Sequence, residues 1–479
     1  MPRRGRRDDR ARPAARAARE RLRHGARIEP RPPREHRRRA PRRAAWHLPR
    51  ASAAAEPPGS DRDGRPREPR AGRKRGPQGE GDSIPRYRWV ILAAGTLAQA
   101  SFSTASVGLP ALAPEIRAHY RLSLSETGVV LAAIGIGMLF TLLPWGLVAD
   151  RFDERWVIAA GLVGAGAALA GAAVSGGLGS LVAALIAAGA LGASVNAASG
   201  RAIMAWFPST ELGLALGIRQ TAIPIGGALG AAVLPILGGT RPAFFALGGA
   251  CIAGAIVAAA FMRGGPAREP DLHDVVRPLR DVRMWLLGGG TALYLTAQIG
   301  ITGFVVLFLH DHRHVSTHAA AGLLAAINVL AIAARIGAGR VSDRLRTRLR
   351  PLRAIGIALT VATAAVATLT DGPLAALVIA FAVAGVLSMA WNGLAFAAAA
   401  EAAGATRTGA ALGFQQTLLG VVVAAAPPAF AAVAASSWRL AFALAAVGPL
   451  LGVLALSRVG EPRSAARRLG TSAIPPAAR

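Results

Sequence analysis

From Trp89 onward, apolar stretches of roughly 18–25 residues recur along the chain, each long enough to cross a ~30 Å hydrocarbon core at about 1.5 Å per residue. They fall at 88–110, 126–149, 156–176, 179–205, 211–237 and 243–262, and then at 284–309, 318–342, 352–370, 373–400, 408–434 and 438–457. Lipid offers no partners to backbone N–H and C=O groups, so segments of this kind must be helices. The 56 glycines and abundant alanines let such helices approach closely. The expectation is an all-α integral membrane protein with twelve transmembrane helices in two groups of six.

Composition agrees with this and excludes the main alternatives. Of the 479 residues 53% are hydrophobic and only 17% charged, too few to cover a soluble protein of this size. The net charge of +29 would suggest a nucleic-acid partner, but it is unevenly placed: residues 1–85 hold 26 of the 55 basic side chains and 11 of the 26 acidic ones. That stretch is rich in Arg, Pro and Ala without apolar periodicity, so the reading is a disordered tail over 1–85. A basic tail can hold anionic headgroups, bind nucleic acid non-specifically, or be an extension without function; no nucleic-acid partner is assigned. No apolar stretch of secretory length follows its charges. Cys251 is the single cysteine, which excludes an intrachain disulfide or a cysteine metal cluster.

Arginine placement sets the expected orientation. Alternate connections carry Arg151 and Arg155, then Arg263, Arg268, Arg277, Arg280 and Arg283, then six arginines from Arg340 to Arg353, then Arg407. The opposite connections hold Arg117, Arg121, Arg241, Arg313 and Arg439. Both termini are therefore expected in the cytoplasm, which requires an even number of crossings. Trp89, Trp156, Trp206 and Trp285 fall at cytoplasmic helix ends, where amphipathic rings favour headgroups. An arginine- and alanine-rich chain with Lys74 as its one lysine points to a bacterial cytoplasmic membrane. In the central loop 263–283, Leu272, Val275, Val276, Leu279 and Val282 recur at helical spacing. That loop either lies flat on the inner leaflet or is a solvated linker.

The two groups of six repeat one another. Gly146-Leu-Val-Ala-Asp150-Arg151-Phe-Asp-Glu-Arg155 aligns with Gly339-Arg-Val-Ser-Asp343-Arg344-Leu-Arg-Thr-Arg348 at an offset of 193. Ala215-Leu-Gly-Ile-Arg-Gln-Thr221 aligns with Ala411-Leu-Gly-Phe-Gln-Gln-Thr417 at an offset of 196, shared by Asn196 and Asn392. Gln99 and Gln298 are related at 199. A near-constant offset across four helix pairs means duplication of a six-helix unit.

With this motif after the second and eighth spans, the chain resembles the major facilitator superfamily of transporters over about 86–458. The resemblance implies bundles over 86–262 and 284–458, joined by the cytoplasmic loop and followed by a tail over 459–479. They would rock about a central cavity so that one substrate site meets each side in turn. It also implies a conformational latch built from Gly146, Asp150, Arg151, Arg155, Gly339, Asp343, Arg344 and Arg348. The first copy departs from the usual form in Asp153 and Glu154.

Charges inside the membrane supply the candidate substrate contacts. Arg335 stands eight residues before Asp343, hence about 12 Å from the helix end. A cation that deep needs water, a counter-charge or an anionic ligand. Its forked guanidinium suits a carboxylate; a structural pair or snorkelling is the alternative. Ala334-Arg335-Ile-Gly-Ala-Gly339 resembles the pattern in family members that carry monocarboxylates or oxalate. Arg219 has the uncharged Gln415 as its repeat mate, so its charge belongs to one half only; it is read as a binding residue or a gating one. Arg201, close to Trp206, is read as snorkelling. Gln99, Gln298, Asn196, Asn392 and Gln416 are polar groups in apolar helices that either line the cavity or bond a neighbouring helix. No Asp or Glu falls in the middle third of any span, so a coupling proton or a counter-substrate is left open.

Gly161-Leu-Val-Gly-Ala-Gly166 and Gly288-Gly-Gly290 lack the strand and the Lys-Ser/Thr of a nucleotide loop and are read as packing positions. The histidines of Leu309-His-Asp-His-Arg-His314, with His318, are read as a solvated loop rather than a metal site. The reading is a secondary transporter, not an enzyme, without cofactor or metal. Its favoured cargo is a small organic anion, because positive charge outweighs negative within the spans. A multidrug exporter, suggested by Pro224-Ile-Gly226-Gly227, and a non-transporting sensor are the alternatives. Reporter fusions placed after Arg151 and after Arg344 should locate to the same side of the membrane; opposite sides would refute the duplicated six-span topology.

Overall fold

The computed structural model describes residues 84–208, 211–264, 280–403 and 408–460. The expected tail before residue 84, the periodic part of the central loop and the tail beyond 460 lie outside the described residues. Within them, twelve helices are long and apolar enough to cross a membrane. The first span, Ile84–Ser106, continues through a 3-10 turn, Leu109–Leu112, into a short helix, Ala113–Tyr120. The second to fourth spans are Leu124–Arg151, Glu154–Ala173 and Leu178–Trp206. The fifth is built of Leu212–Gln220 and Ala222–Val233, and the sixth is Thr240–Phe261. The second half comprises Val282–Asp311, Thr317–Leu345 and Leu349–Thr368, then Leu374–Ala390 with Asn392–Ala403, and finally Thr408–Ala434 and Trp438–Ser457.

Many of the spans start where a polar side chain caps the free amides of the first turn. Ser123 accepts from the Glu126 amide at 3.2 Å while the Glu126 carboxylate accepts from the Ser123 amide at 2.8 Å, a reciprocal capping box. Asp153, Asp281, Ser316 and Ser437 cap the third, seventh, eighth and twelfth spans, each side chain accepting from one first-turn amide. The two interrupted spans depart from the continuous helices that hydropathy predicts. Pro224 has no amide to offer the Gln220 carbonyl, and the fifth helix is interrupted at Thr221 between them. The tenth breaks at Trp391.

The halves are pseudo-symmetric in their packing. In the first, span 1 packs on 6, 3 on 6, 3 on 4 and 2 on 4; in the second, 7 packs on 12, 9 on 12, 9 on 10 and 8 on 10. Apolar burial gives little drive between helices in lipid, so close backbone approach carries the association. A Cβ at Gly137 would strike the Ile186 carbonyl, and one at Gly189 the Ile134 carbonyl, so spans 2 and 4 touch through their backbones. Spans 3 and 6 meet at Gly166 and Gly248, where a Cβ on either would lie 2.9 Å from the other's carbonyl oxygen. Of the glycines read from the sequence as packing positions, Gly161, Gly164, Gly166, Gly288 and Gly290 lie against neighbouring helices, whereas Gly289 faces open space.

The halves meet along two antiparallel seams related by the same pseudo-symmetry, span 2 against 11 and span 5 against 8. On the first, Gly128 lies against Ala431, Gly135 against Val423 and Gly420 against Leu139. One step further in register are Gly146 and Gly413, where a Cβ would meet nothing within 4 Å. On the second, Gly227 lies against Asn328, whereas Gly217 and Gly337 again face open space. Both seams are thus closed towards the end bearing Arg117 and Asp311 and part towards the end bearing Arg151 and Arg344. At the closed end Leu124, Ala111 and Ala113 of the first half join a core with Phe304, Phe308, Phe430 and Phe442 of the second. Arg117 pairs there with Asp311 across the halves.

Gly189→Val should lower the thermal midpoint in detergent by the equivalent of about 1–3 kcal/mol, the cost of overpacking a tight contact. Gly171→Ala, which enters open space, should leave it unchanged; equal midpoints for the two variants would refute backbone contact between spans 2 and 4.

Candidate functional site

Arg219 lies in the last turn of the fifth span before the Thr221 interruption, and only 8% of its surface is exposed. Its Nε donates to Ser199 Oγ at 2.9 Å. Its Nη2 donates to the Asn196 carbonyl at 2.9 Å and to Gln99 Oε1 at 3.3 Å. The structure therefore brings three expected residues, Arg219, Gln99 and Asn196, into one cluster, with Asn196 taking part through its backbone. Gln99 Nε2 also donates to Ser103 Oγ at 3.4 Å, so both ends of its amide are used.

Arg335 is the counterpart in the second half. Its Nε donates to the Met389 carbonyl at 2.8 Å and its Nη1 to the Gln220 carbonyl at 2.7 Å. Asn392 Nδ2 donates to that same Met389 oxygen at 3.4 Å, which places this expected residue beside Arg335. Neither arginine forms an ion pair among the described residues. Carbonyl, amide and hydroxyl oxygens solvate the two cations but do not neutralise them, so the site retains positive charge. Arg219 Nη1 and Arg335 Nη2 have no hydrogen-bond partner among the described residues and remain as donors.

The second half offers acceptors where the first has its cation. Gln415, the repeat mate of Arg219, is fully buried and donates to Thr291 Oγ1 at 3.1 Å. Its Oε1 is buried without a partner, as are Gln298 Oε1 and Asn328 Oδ1. Gln416, expected as a contact, is half-buried and makes no hydrogen bond among the described residues; its neighbour Gln415 turns inward instead. Asn328, Ser199 and Thr291 were not singled out from the sequence. Asn328 did carry a signal, since it stands seven residues before Arg335 and so shares its helix face. Ser199 and Thr291 carried none, because short hydroxyls in helices readily bond the backbone one turn earlier, as these do at Val195 and Leu287.

The repeated motif ties helices at the open end. Arg348 bonds Asp343 Oδ1 at 2.5 Å, Glu401 Oε1 at 2.8 Å and Ser342 Oγ at 3.0 Å, joining spans 8, 9 and 10. Burial opposes the charge of Arg348, but its bonds to Glu401 and Asp343 outweigh that and raise its pKa. Gly339 faces open space and Arg344 is exposed. In the first copy Arg155 lies over the Trp156 ring at 4.6 Å, Arg151 is exposed and Gly146 is open. The Asp150 side chain lies outside the described atoms.

The expectation for Arg201 requires correction. It does not snorkel but pairs with Glu154 at 2.9 Å, both side chains largely buried. Burial in a membrane protein makes pairing cheaper than reaching for water when an acid lies within range. Glu154 is one of the two residues by which the first motif departs from the usual form; the other, Asp153, caps the third span. The bridge between this loop and the following even-numbered span thus exists in both halves with its charges exchanged: Glu154 to Arg201 in one, Arg348 to Glu401 in the other. Of the expected solvated histidines, His310 bonds Asp311 and His312 bonds Asp371.

A family model described as Major Facilitator Superfamily matches residues 91–427. The chain belongs to the major facilitator superfamily. It is 30% identical over 381 residues to uncharacterized MFS-type transporters from two strains of Mycobacterium tuberculosis, covering 76% of this chain and 84% of each relative. Among solved structures it resembles a bacterial homologue of the human lysosomal transporter Spinster in an inward-facing, occupied conformation. The TM-score is 0.64 at 15% identity, over 78% of this chain and 96% of that one. A nucleoside transporter aligns with a TM-score of 0.64 at 13% identity, over 77% of this chain and 99% of that one. This is a multi-pass membrane transporter with the major facilitator fold, not an enzyme.

Arg201→Ala should cost about 3–5 kcal/mol, because it removes one side of a largely buried ion pair. Adding Glu154→Ala should restore most of the lost thermal midpoint; a double variant as unstable as the single would show that the pair is not the source.

Proposed function

We propose that the protein moves a small organic anion across the bacterial cytoplasmic membrane by alternating access, as a secondary transporter without ATP. The carrying observation is a pair of intramembrane arginines, Arg219 in one half and Arg335 in the other, that have oxygen dipoles but no carboxylate around them among the described residues. A cation held this way in low dielectric favours an anionic ligand that completes its shell. Each guanidinium keeps one nitrogen to donate to a carboxylate oxygen.

With both termini in the cytoplasm, as the arginine distribution implies, the parted end faces inward and the Arg117–Asp311 end is closed outward. A ligand bound between Arg219 and Arg335 would draw the two halves together and so favour passage through the occluded state. The glycines behind the exporter alternative have a packing explanation. Gly226 lies against Ala100 and Ser103 of the first span, and Gly227 against Asn328 of the eighth.

A thermal-shift screen of the purified protein against mono- and dicarboxylates, inorganic anions and lipophilic cations is the first test. Carboxylates should stabilise it, and Arg335→Ala or Arg219→Ala should abolish both the shift and uptake into proteoliposomes. Arg201→Ala, where folded, should keep the shift. Stabilisation by lipophilic cations alone, or uptake indifferent to Arg335 and Arg219, would refute the anion reading.

A further inference from the structure

We infer that the empty carrier is locked by Arg335, and that the protein therefore exchanges one anion for another rather than allowing net flux; the exchange rests on the anion reading above, the lock does not. The lock begins in the sequence. Pro224 has no N–H, so the Gln220 carbonyl one turn earlier lacks its i+4 donor, while the Ile225 amide keeps its ordinary helical bond to Thr221 O at 3.1 Å. Arg335 Nη1 fills that carbonyl at 2.7 Å. The Met389 carbonyl lies two residues before the Trp391 interruption, among the last carbonyls of its helix segment, and it takes Arg335 Nε at 2.8 Å. One guanidinium thus joins the fifth span of the first half to the eighth and tenth spans of the second, beside the interruptions at Thr221 and Trp391.

Its place on the seam makes this a lock rather than a brace. Towards the closed end, Gly227 and Asn328 hold spans 5 and 8 in contact; towards the open end, Gly217 and Gly337 face open space. The bond lies at the boundary, where the seam must part if the closed end is to open. Parting it in the empty protein strands a backbone carbonyl and deprives a buried cation of a partner, and charge-assisted bonds are the costly ones to break. A carboxylate engaging the Arg335 fork supplies both the partner and the counter-charge, so the loaded seam parts more readily than the empty one.

The prediction that separates this lock from an ordinary binding arginine concerns Pro224→Ala. That change leaves Arg335 in place and gives Gln220 O its own amide, so it weakens the lock without removing the anion site. Spin labels at Leu147→Cys and Gly413→Cys, in a Cys251→Ala background, report the width of the open end by pulsed electron resonance. Without ligand, Pro224→Ala and Arg335→Gln should each raise the ratio of short to long distances roughly tenfold, as expected for loss of one charge-assisted bond. With oxalate as probe they should diverge: Pro224→Ala binds it more tightly than the parent and takes up label into vesicles without internal oxalate, whereas Arg335→Gln does not bind it. Distances unchanged in Pro224→Ala would overturn the lock even if oxalate binds. A shifted ratio with no oxalate response in any form would leave the lock standing and overturn the exchange.

Discussion

A buried cation with no carboxylate paired to it among the described residues is the constraint on which the centre of this molecule depends. The membrane admits only helices because every backbone group must find a partner within its segment. Two of the twelve spans break that rule at Thr221 and Trp391. The carbonyls of Gln220 and Met389 are satisfied by the side chain that most needs oxygen around it, Arg335. Two liabilities in lipid, an open helix and an unpaired charge, offset one another at one point. Arg219, one residue before Gln220, is solvated in the same manner by Asn196 O, Ser199 and Gln99. Oxygen dipoles make such cations tolerable without neutralising them.

Around that centre the duplicated architecture supplies two matching seams between the halves. The seams between spans 2 and 11 and between 5 and 8 are lined with small residues at the closed end, where backbone approach gives the contact energy. At the open end the links run within each half: Glu154 to Arg201 and Arg348 to Asp343 and Glu401. Each half is thereby tied together within itself at the open end. The exchanged sign of these bridges shows that duplication conserved the place of an ion pair, not the identity of its partners.

Much of this was legible in the residue order. Spans, halves and paired positions such as Asn196 and Asn392 follow from apolar length and a fixed offset, because lipid imposes one secondary structure on any apolar segment of that length. Arg219, Gln99, Arg335 and Asn392 stood out because polar groups are rare and costly in that setting. Arg201 was misread because depth along a helix does not say whether an acid lies across from it, and Glu154 comes from another turn of chain. Gln415 and Gln416 could not be ranked, since neighbours on a helix point about 100° apart and only packing tells which faces inward.

The sequence by itself determined that this chain spans a membrane twelve times in two related halves, because hydrocarbon thickness and backbone pairing leave no other solution. It also determined that the fifth span carries an unfilled carbonyl, since Pro224 has no amide. Which group fills that carbonyl, that the filler comes from the opposite half, and that the seams part just beyond it were decided by tertiary structure alone. Those facts depend on distances between helices more than a hundred residues apart in the chain, and no local pattern encodes them.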